Sequence, residues 1–364
     1  MSRKRIVFFV TSLQSGGIEN YLLRFIRMFS TEFEKITVFC KSGQGGQLEN
    51  QYLEFKNVSI VKRKIGYYSL NDYKYLHKFF SINDYTGICD FTGNFAGLIQ
   101  LIAKYNKIDK RITFYRNSSN RFKGNRLKNL YNAFSNGLTY RYSTKILANS
   151  KAALDFYFPN KWIGKSKFSV IYNGVSANDF VNTNGDLRLE LGIPQDAFVV
   201  GHTGRYNAAK NHRTILSVAT ELTRSFSDIY FIMCGNGVKI NLSEEVNSKG
   251  LTEKIKLFEN RSDISKFLNT MDCFYFPSLT EGQPNSLIEA MISGLPIVAS
   301  DIAPIKETMP NSFHNSLVSP LDSDRAVLEI LKIYNGHERR SGLKNWAISK
   351  FDASELFRDF YEQL

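Results

Sequence analysis

Short apolar segments alternate with longer amphipathic stretches along the whole chain, and this alternation limits the fold more than any other feature. Residues 6–10, 36–40, 88–91, 111–115 and 145–148 read as buried strands, with a loop at 12–17 and a helix over 18–29 after the first of them. The second half repeats the theme at 198–203, 229–234, 255–258, 273–277 and 296–300. Strands separated by helices predict parallel sheets built from βαβ units. Two such series predict two Rossmann-like domains with facing parallel sheets, an α/β chain. The 364 residues suffice for two domains, each with its own core. The boundary is placed between Tyr172 and Asn173, giving domains 1–172 and 173–350. Leu356, Phe357, Phe360, Tyr361 and Leu364 then fall at helical spacing in a terminal helix that must bury its apolar face.

Composition narrows the class. Hydrophobic residues make up 43% and charged residues 22%, which excludes a mainly disordered or collagen-like chain. No apolar run approaches the ~20 residues needed to cross a bilayer, and residues 6–10 are too short for a signal-peptide core. A cytoplasmic protein is expected. Cys40, Cys89, Cys234 and Cys273 lie far apart within apolar runs, so reduced, buried thiols are expected rather than a disulfide framework or zinc site. The net charge of +13 is concentrated, with 15 basic and 2 acidic residues between 104 and 167. Such a field attracts an anionic partner: nucleic acid, an acidic membrane or a phosphorylated acceptor.

In open parallel sheets, ligands bind beyond the carboxyl ends of the strands. Two segments there could carry chemistry. Glu281-Gly-Gln-Pro-Asn-Ser-Leu-Ile-Glu289 follows a strand and enters an apolar helix. Gly282 permits close backbone approach, Pro284 suits a helix start, and the amides of Asn285, Ser286 and Leu287 would be free for an anion or a sugar hydroxyl. The two carboxylates suit a polyol, since carboxylates accept from hydroxyls. The plainer alternative is a helix with ordinary N-terminal acids. Gly204-Arg-Tyr-Asn-Ala-Ala-Lys-Asn211 follows another strand. Arg205 and Lys210 could bind a diphosphate, or this could be a solvated basic loop.

Together these segments resemble the retaining glycosyltransferases of family 4 (glycosyl transferases group 1), which have the GT-B fold. The resemblance rests on Glu281 and Glu289 at E-x7-E spacing, on Arg205 and Lys210, on Asn173-Gly174-Val175, and on Gly16-Gly17-Ile18-Glu19. Phe276-Pro277-Ser278 and Gly294-Leu-Pro-Ile-Val-Ala-Ser300 continue the pattern, which is strongest from 198 to 301. It implies that Glu281 holds donor-sugar hydroxyls, that Glu289 holds the ribose, and that Arg205 and Lys210 neutralise the leaving nucleoside diphosphate. Glu281, Arg205 and Lys210 are thus the catalytic candidates. Gly282, Gln283, Pro284, Asn285 and Ser286 would line the donor site, Phe258 and Glu259 would lie by the nucleobase, and Gly16 and Gly17 would bring amides near diphosphate or acceptor. The resemblance also implies that the terminal helix, 351–364, crosses back to the first domain. It implies a hexosyltransferase type of reaction with retention of anomeric configuration, a nucleotide-sugar donor for which UDP is favoured and GDP stays open, no cofactor and no metal. The expected acceptor is a glycan or lipid-linked saccharide, in bacterial surface polysaccharide biosynthesis.

Some features stand apart from the pattern. Asp322-Ser323-Asp324 has the D-x-D form of metal-dependent transferases, but it precedes a helix and reads as a cap. Relatives often carry histidine where this chain has Arg116, in Tyr115-Arg116-Asn117. Arginine is no base at neutral pH, so Arg116 and Asn117 become candidate acceptor-binding residues for an acidic or phosphorylated acceptor, unless no histidine is needed or activity is absent. Leu127, Leu130, Tyr131, Phe134 and Leu138 form an apolar stripe on a helix over 121–142, ringed by Lys and Arg. Either the stripe packs on the first sheet, or the face lies on an anionic membrane as a peripheral contact. The alternatives to a transferase are a sugar-nucleotide epimerase or phosphorylase of the same fold and a non-catalytic sugar-nucleotide binder. A nucleic-acid-binding protein lacks support, with no zinc, RRM-like or helix-turn-helix signature. A dehydrogenase is disfavoured, because 12–17 lacks G-x-G-x-x-G spacing.

Overall fold

The computed structural model describes residues 4–66, 69–117, 126–181, 185–336 and 342–364. They form two compact units: the residues up to Gly174 together with Ala353–Leu364, and Val175–Asp352.

The first unit holds β1 (Lys4–Val10), β2 (Phe33–Cys40), β3 (Val58–Lys62), β4 (Gly87–Asp90), β5 (Lys110–Tyr115), β6 (Lys145–Ala148) and β7 (Phe168–Val170). All pair in parallel, in the order β3-β2-β1-β4-β5-β6-β7. β1 and β4 are central, and Ile6–Val10 reads as a continuous apolar run because both its faces are buried. β3 and β7, at the two edges, were not predicted as strands. Edge strands keep one side in solvent, and the mixed sequence of β3, with three of its five residues half-buried, carries a weak signal.

The helix Ala353–Gln363 belongs to this unit and not to the sequence neighbourhood it leaves. Phe357 and Phe360 are buried among Phe8, Tyr21, Phe25, Phe91 and Phe114. Phe360 sits 4.8 Å from Phe25 and 5.4 Å from Phe114 between ring centroids, and Phe357 sits 5.0 Å from Tyr21. Gly174 marks where the returning chain passes: a Cβ there would lie 2.7 Å from the Cα of Ala353.

The helix Arg126–Tyr142 divides its apolar stripe between the two readings, since Tyr131 and Leu138 are half-buried. Leu130 is 68% exposed and Phe134 57%, while Asn132, Ser135 and Thr139 are buried. Leu127 and residues 121–125 lie outside what is described of this segment. The reason is steric. Gly97, at the start of the helix Gly97–Tyr105, approaches so closely that a Cβ on it would be 2.3 Å from the Ser135 carbonyl oxygen. The Ser135 backbone and the Leu138 Cβ both crowd that seam, and the Ser135 hydroxyl accepts from the Gly97 amide at 3.3 Å.

The second unit holds β8 (Phe198–Thr203), β9 (Ile229–Cys234), β10 (Ile255–Phe258), β11 (Cys273–Phe276) and β12 (Ile297–Ala299). They are parallel in the order β10-β9-β8-β11-β12. The order reverses between β8 and β11. The crevice beyond the carboxyl ends of those two strands is therefore the switch point at which open sheets bind ligands.

Candidate functional site

The loop after β8 carries Arg205 and Lys210, and the loop after β11 carries Glu281, so both flank this switch point. The Lys210 ammonium donates to Glu281 Oε1 at 2.7 Å. Both side chains are largely buried, at 16% and 12% exposure, and the ammonium also lies 4.4 Å from the centre of the Phe276 ring. The sequence proposed an acidic pair and a cationic pair. The structure joins one member of each.

Local chemistry explains why the β8 loop holds its shape. Asn207 caps a short turn by accepting from the Lys210 amide at 3.0 Å. Asn211 then adopts a left-handed conformation, φ 57°, and its amide donates to the carbonyls of Pro277 and Pro320. The Leu279 amide donates to the Ala209 carbonyl at 2.7 Å, tying the β11 loop directly to the β8 loop. Gly235, after β9, is required by close approach, since a Cβ there would sit 2.1 Å from the Gly204 carbonyl oxygen. Arg205 is exposed and enters no ion pair among the described residues, so its charge is available to an anion.

The helix Asn285–Ser293 begins just beyond Glu281. Its N-cap is Pro284, which has no side-chain acceptor, so no side chain of the cap residue satisfies the first-turn amides. Gly282, Gln283 and Pro284 are buried, while Asn285, Ser286 and Glu289 are half-buried on that helix. Glu259, expected by the nucleobase, has its carboxylate engaged locally. It accepts from the Gly237 amide at 2.6 Å and the Ile240 amide at 3.1 Å, capping the helix Val238–Ser248. Phe258 ends β10 with its ring 5.5 Å from Phe267. Asp322 accepts from the Arg325 amide at 2.9 Å and caps the helix Ser323–Tyr334.

Behind Lys210 lies a histidine pair that the sequence reading did not connect to the site. His202 is fully buried, with Nδ1 3.0 Å from the Tyr275 carbonyl oxygen, and its ring centre is 5.2 Å from that of His212. Burial, followed by the charges of His212 and Lys210, pushes His202 well below the usual histidine value. Burial, then Lys210, lowers His212 to about 4. Both rings are neutral at physiological pH. A histidine depressed in the folded state takes its proton more readily once unfolded, so acid favours unfolding between the two values. Stability is therefore expected to fall as pH drops from about 6.5 to 4, and His212→Asn should flatten that part of a denaturant-midpoint profile. An unchanged profile would contradict a neutral His212.

In the first unit, Gly16 is the N-cap of the helix Gly17–Phe29, in extended backbone, and Gly17 has open space where a Cβ would lie. Farther along the same sheet edge, Asp90 at the end of β4 is fully buried and pairs with Lys41 at 3.2 Å. Thr92 donates to Asp90 Oδ1 and accepts from Lys41. Burial lowers Lys41, and Asp90 opposes the shift. Neither residue stood out in the sequence, because a lysine and an aspartate 49 positions apart carry no spacing signal. Beside them is a small pocket lined by Thr92, Gly93, Tyr115, Arg116, Asn117 and Tyr157, among others. The Arg116 guanidinium carbon lies 3.8 Å over the Tyr21 ring and 5.0 Å over Phe114. Asn117 Oδ1 accepts from the Tyr157 hydroxyl.

Comparison with known proteins agrees with this geometry. The profile of Glycosyltransferase Family 4 matches residues 15–179, and that of Glycosyl transferases group 1 matches residues 185–350. The capsular polysaccharide biosynthesis glycosyltransferase CapH of Staphylococcus aureus is 25% identical, over 82% of this chain and 81% of its own. An N-acetylgalactosaminyltransferase of Campylobacter jejuni, named for a diphospho-undecaprenol-linked saccharide, is 24% identical over 99% of both chains. The match to the O-antigen biosynthesis glycosyltransferase WclY of Escherichia coli, at 28% identity, spans only 43% of each. Among solved structures, Anabaena HepE in complex with UDP superposes with a TM-score of 0.80 over 98% of both chains at 19% identity, which supports a common fold. With both halves matched in order and each half a parallel Rossmann-like sheet, the chain belongs to the group 1, family 4 glycosyltransferases of GT-B fold.

Proposed function

We propose that this protein is a metal-independent, retaining hexosyltransferase that moves a sugar from a UDP-sugar to a lipid-linked saccharide during bacterial surface polysaccharide assembly. The observation that carries the reading is the Lys210–Glu281 pair at the β8/β11 switch point, with Arg205, exposed and in no ion pair among the described residues, on the β8 loop. Breaking the anomeric bond leaves negative charge on the distal phosphate and oxocarbenium character on the sugar. Lys210, held by Glu281, and the exposed Arg205 stabilise the first charge without an ion. Glu281 holds donor hydroxyls and is itself held by Lys210. Glu289 takes the ribose, and the amides that Pro284 leaves uncapped face the sugar and phosphate. The leaving phosphate deprotonates the acceptor hydroxyl on the same face, which asks no base of the protein. Glu259, occupied in capping a helix, leaves base reading to backbone groups near Phe258. UDP in the HepE structure and the undecaprenol-linked substrate in the name of the Campylobacter relative support the donor and acceptor classes.

The exposed Leu130 and Phe134, on a helix that lies in the most basic part of the chain, support a peripheral seat on an anionic membrane. Among the described residues no helix is long and apolar enough to cross a membrane.

The test is release of UDP from UDP-sugars, with a lipid-diphosphate saccharide presented in anionic vesicles. Acceptor-dependent release is expected. Arg205→Ala should weaken UDP binding about tenfold through a lost charge-assisted contact. Phe134→Glu should lower turnover on vesicles and leave UDP binding intact. Release that ignores acceptor would favour an epimerase or a non-catalytic binder. Equal binding to neutral and anionic vesicles would end the membrane seat.

A further inference from the structure

We propose that the pocket around Arg116 receives a carboxylate carried by a sugar ring of the acceptor, so that the substrate class includes acidic sugars. This rests on the glycosyltransferase reading for the word sugar, but the anion site is argued from the first unit alone.

The guanidinium is the starting point. Arg116 Nη1 is sealed from solvent and has no hydrogen-bond partner, and Arg116 enters none of the ion pairs among the described residues. The nearby carboxylate of Asp90 is spent on Lys41 and Thr92. Glu19 contributes only the smallest of the influences that favour the Arg116 charge. Burial lowers the group to about 10, so it remains a cation at neutral pH. A largely desolvated cation held against aromatic rings, with no counter-ion among the described residues, is costly unless an anion arrives to pair with it.

The pocket's other walls select which anion. Its polar lining has one cation and one available amide. The Asn117 carbonyl oxygen is taken by Tyr157, which leaves its NH2 to donate, whereas Thr92 is occupied by Lys41 and Asp90. One guanidinium and one amide match a monoanionic, planar carboxylate better than a doubly charged phosphate. The remaining lining includes Phe91, Phe95, Tyr115 and Tyr157, apolar faces on which a sugar ring packs. Gly93 keeps the space open, since φ is +56° and a Cβ there would strike the Tyr115 ring at 2.9 Å. Phe95 stacks on Tyr131 of the helix that exposes Leu130 and Phe134. The pocket therefore adjoins the surface assigned to the lipid.

Binding to the full chain is measured by ligand-observed NMR with glucuronate, galacturonate, glucose and inorganic phosphate as probes. UDP is titrated in parallel. At least one hexuronate is expected to bind at least tenfold more tightly than glucose and phosphate. Arg116→Met should remove that preference, and Arg116→Lys, which keeps the charge without the planar fork, should retain part of it. UDP binding by both variants shows that they are folded and tests the donor reading separately. If UDP fails to bind while the hexuronate does, the proposed function falls and the anion site stands. Equal affinity for hexuronate and glucose would overturn the inference, and so would a preference for phosphate. Displacement of the hexuronate by saturating UDP-glucose would move the carboxylate from the acceptor to the donor and overturn the assignment to the acceptor.

Discussion

Glu281→Ala is expected to lower sugar transfer by 10²-fold or more. Two losses combine. The donor loses a hydroxyl acceptor at the sugar, and the Lys210 ammonium, only 16% exposed, loses the carboxylate that it contacts at 2.7 Å. An ammonium freed from its partner moves to other acceptors, so the diphosphate meets a displaced cation. Removing one pre-positioned group at a developing charge typically costs 10²–10³ in turnover. Stability should fall as well, since breaking a well-buried pair costs on the order of 3–5 kcal/mol and the residual exposure here reduces that figure. The distinguishing measurement is a cycle of Glu281→Gln, Lys210→Met and the double variant, read both as turnover and as denaturant midpoint. Coupling near zero in both would mean that the pair does not act as a unit. Full turnover in Glu281→Gln would remove the carboxylate from the mechanism.

Phe360→Ala should destabilise the first unit by about 3–5 kcal/mol, the usual range for a large aromatic removed from a packed core. The ring touches a cluster in which Phe8, Tyr21, Phe25, Phe91 and Phe114 are all buried, so little is free to collapse into the void. Removal of residues 353–364 should go further and abolish cooperative unfolding of that unit while the second unit keeps its own transition. Denaturant unfolding followed by near-UV circular dichroism reports this. A truncated chain with both transitions intact would show that the terminal helix is only an accessory.

The strands at sheet centres were legible because burial on both faces leaves uninterrupted apolar runs. β8, β9 and β10 fall at their expected limits, β11 ends one residue short, and β12 is one residue short at each end. β3 and β7 were not legible, since β3 mixes polar with half-buried residues and β7 is three residues long; position at a sheet edge alone does not hide a strand, as the edge strands β10 and β12 were legible. The Arg126–Tyr142 helix was legible as a helix, but its buried side was not. Its apolar periodicity is real, but the buried side is the one with Asn132, Ser135 and Thr139, because Gly97 sets the interaxial distance. Periodicity shows which residues share a face and is silent on what a neighbouring glycine admits. At the site, the loops were placed by strand ends, and so were Arg205, Lys210 and Glu281. The Lys210–Glu281 bond, the Lys41–Asp90 bond and the His202–His212 contact arise from topology, which joins residues tens of positions apart. Glu259 shows the converse, a motif-position carboxylate that the fold employs as a helix cap.

The passage of the backbone at Gly174 and Ala353 has a consequence for biosynthesis. During translation, the leading half emerges first yet lacks Phe357 and Phe360 until the 353–364 segment has left the ribosome. The 175–352 segment is complete before then. The usual vectorial order of N-terminal before C-terminal is thus inverted, and the nascent first sheet waits with an open aromatic cleft, a natural client for chaperones, until its own tail arrives to close it.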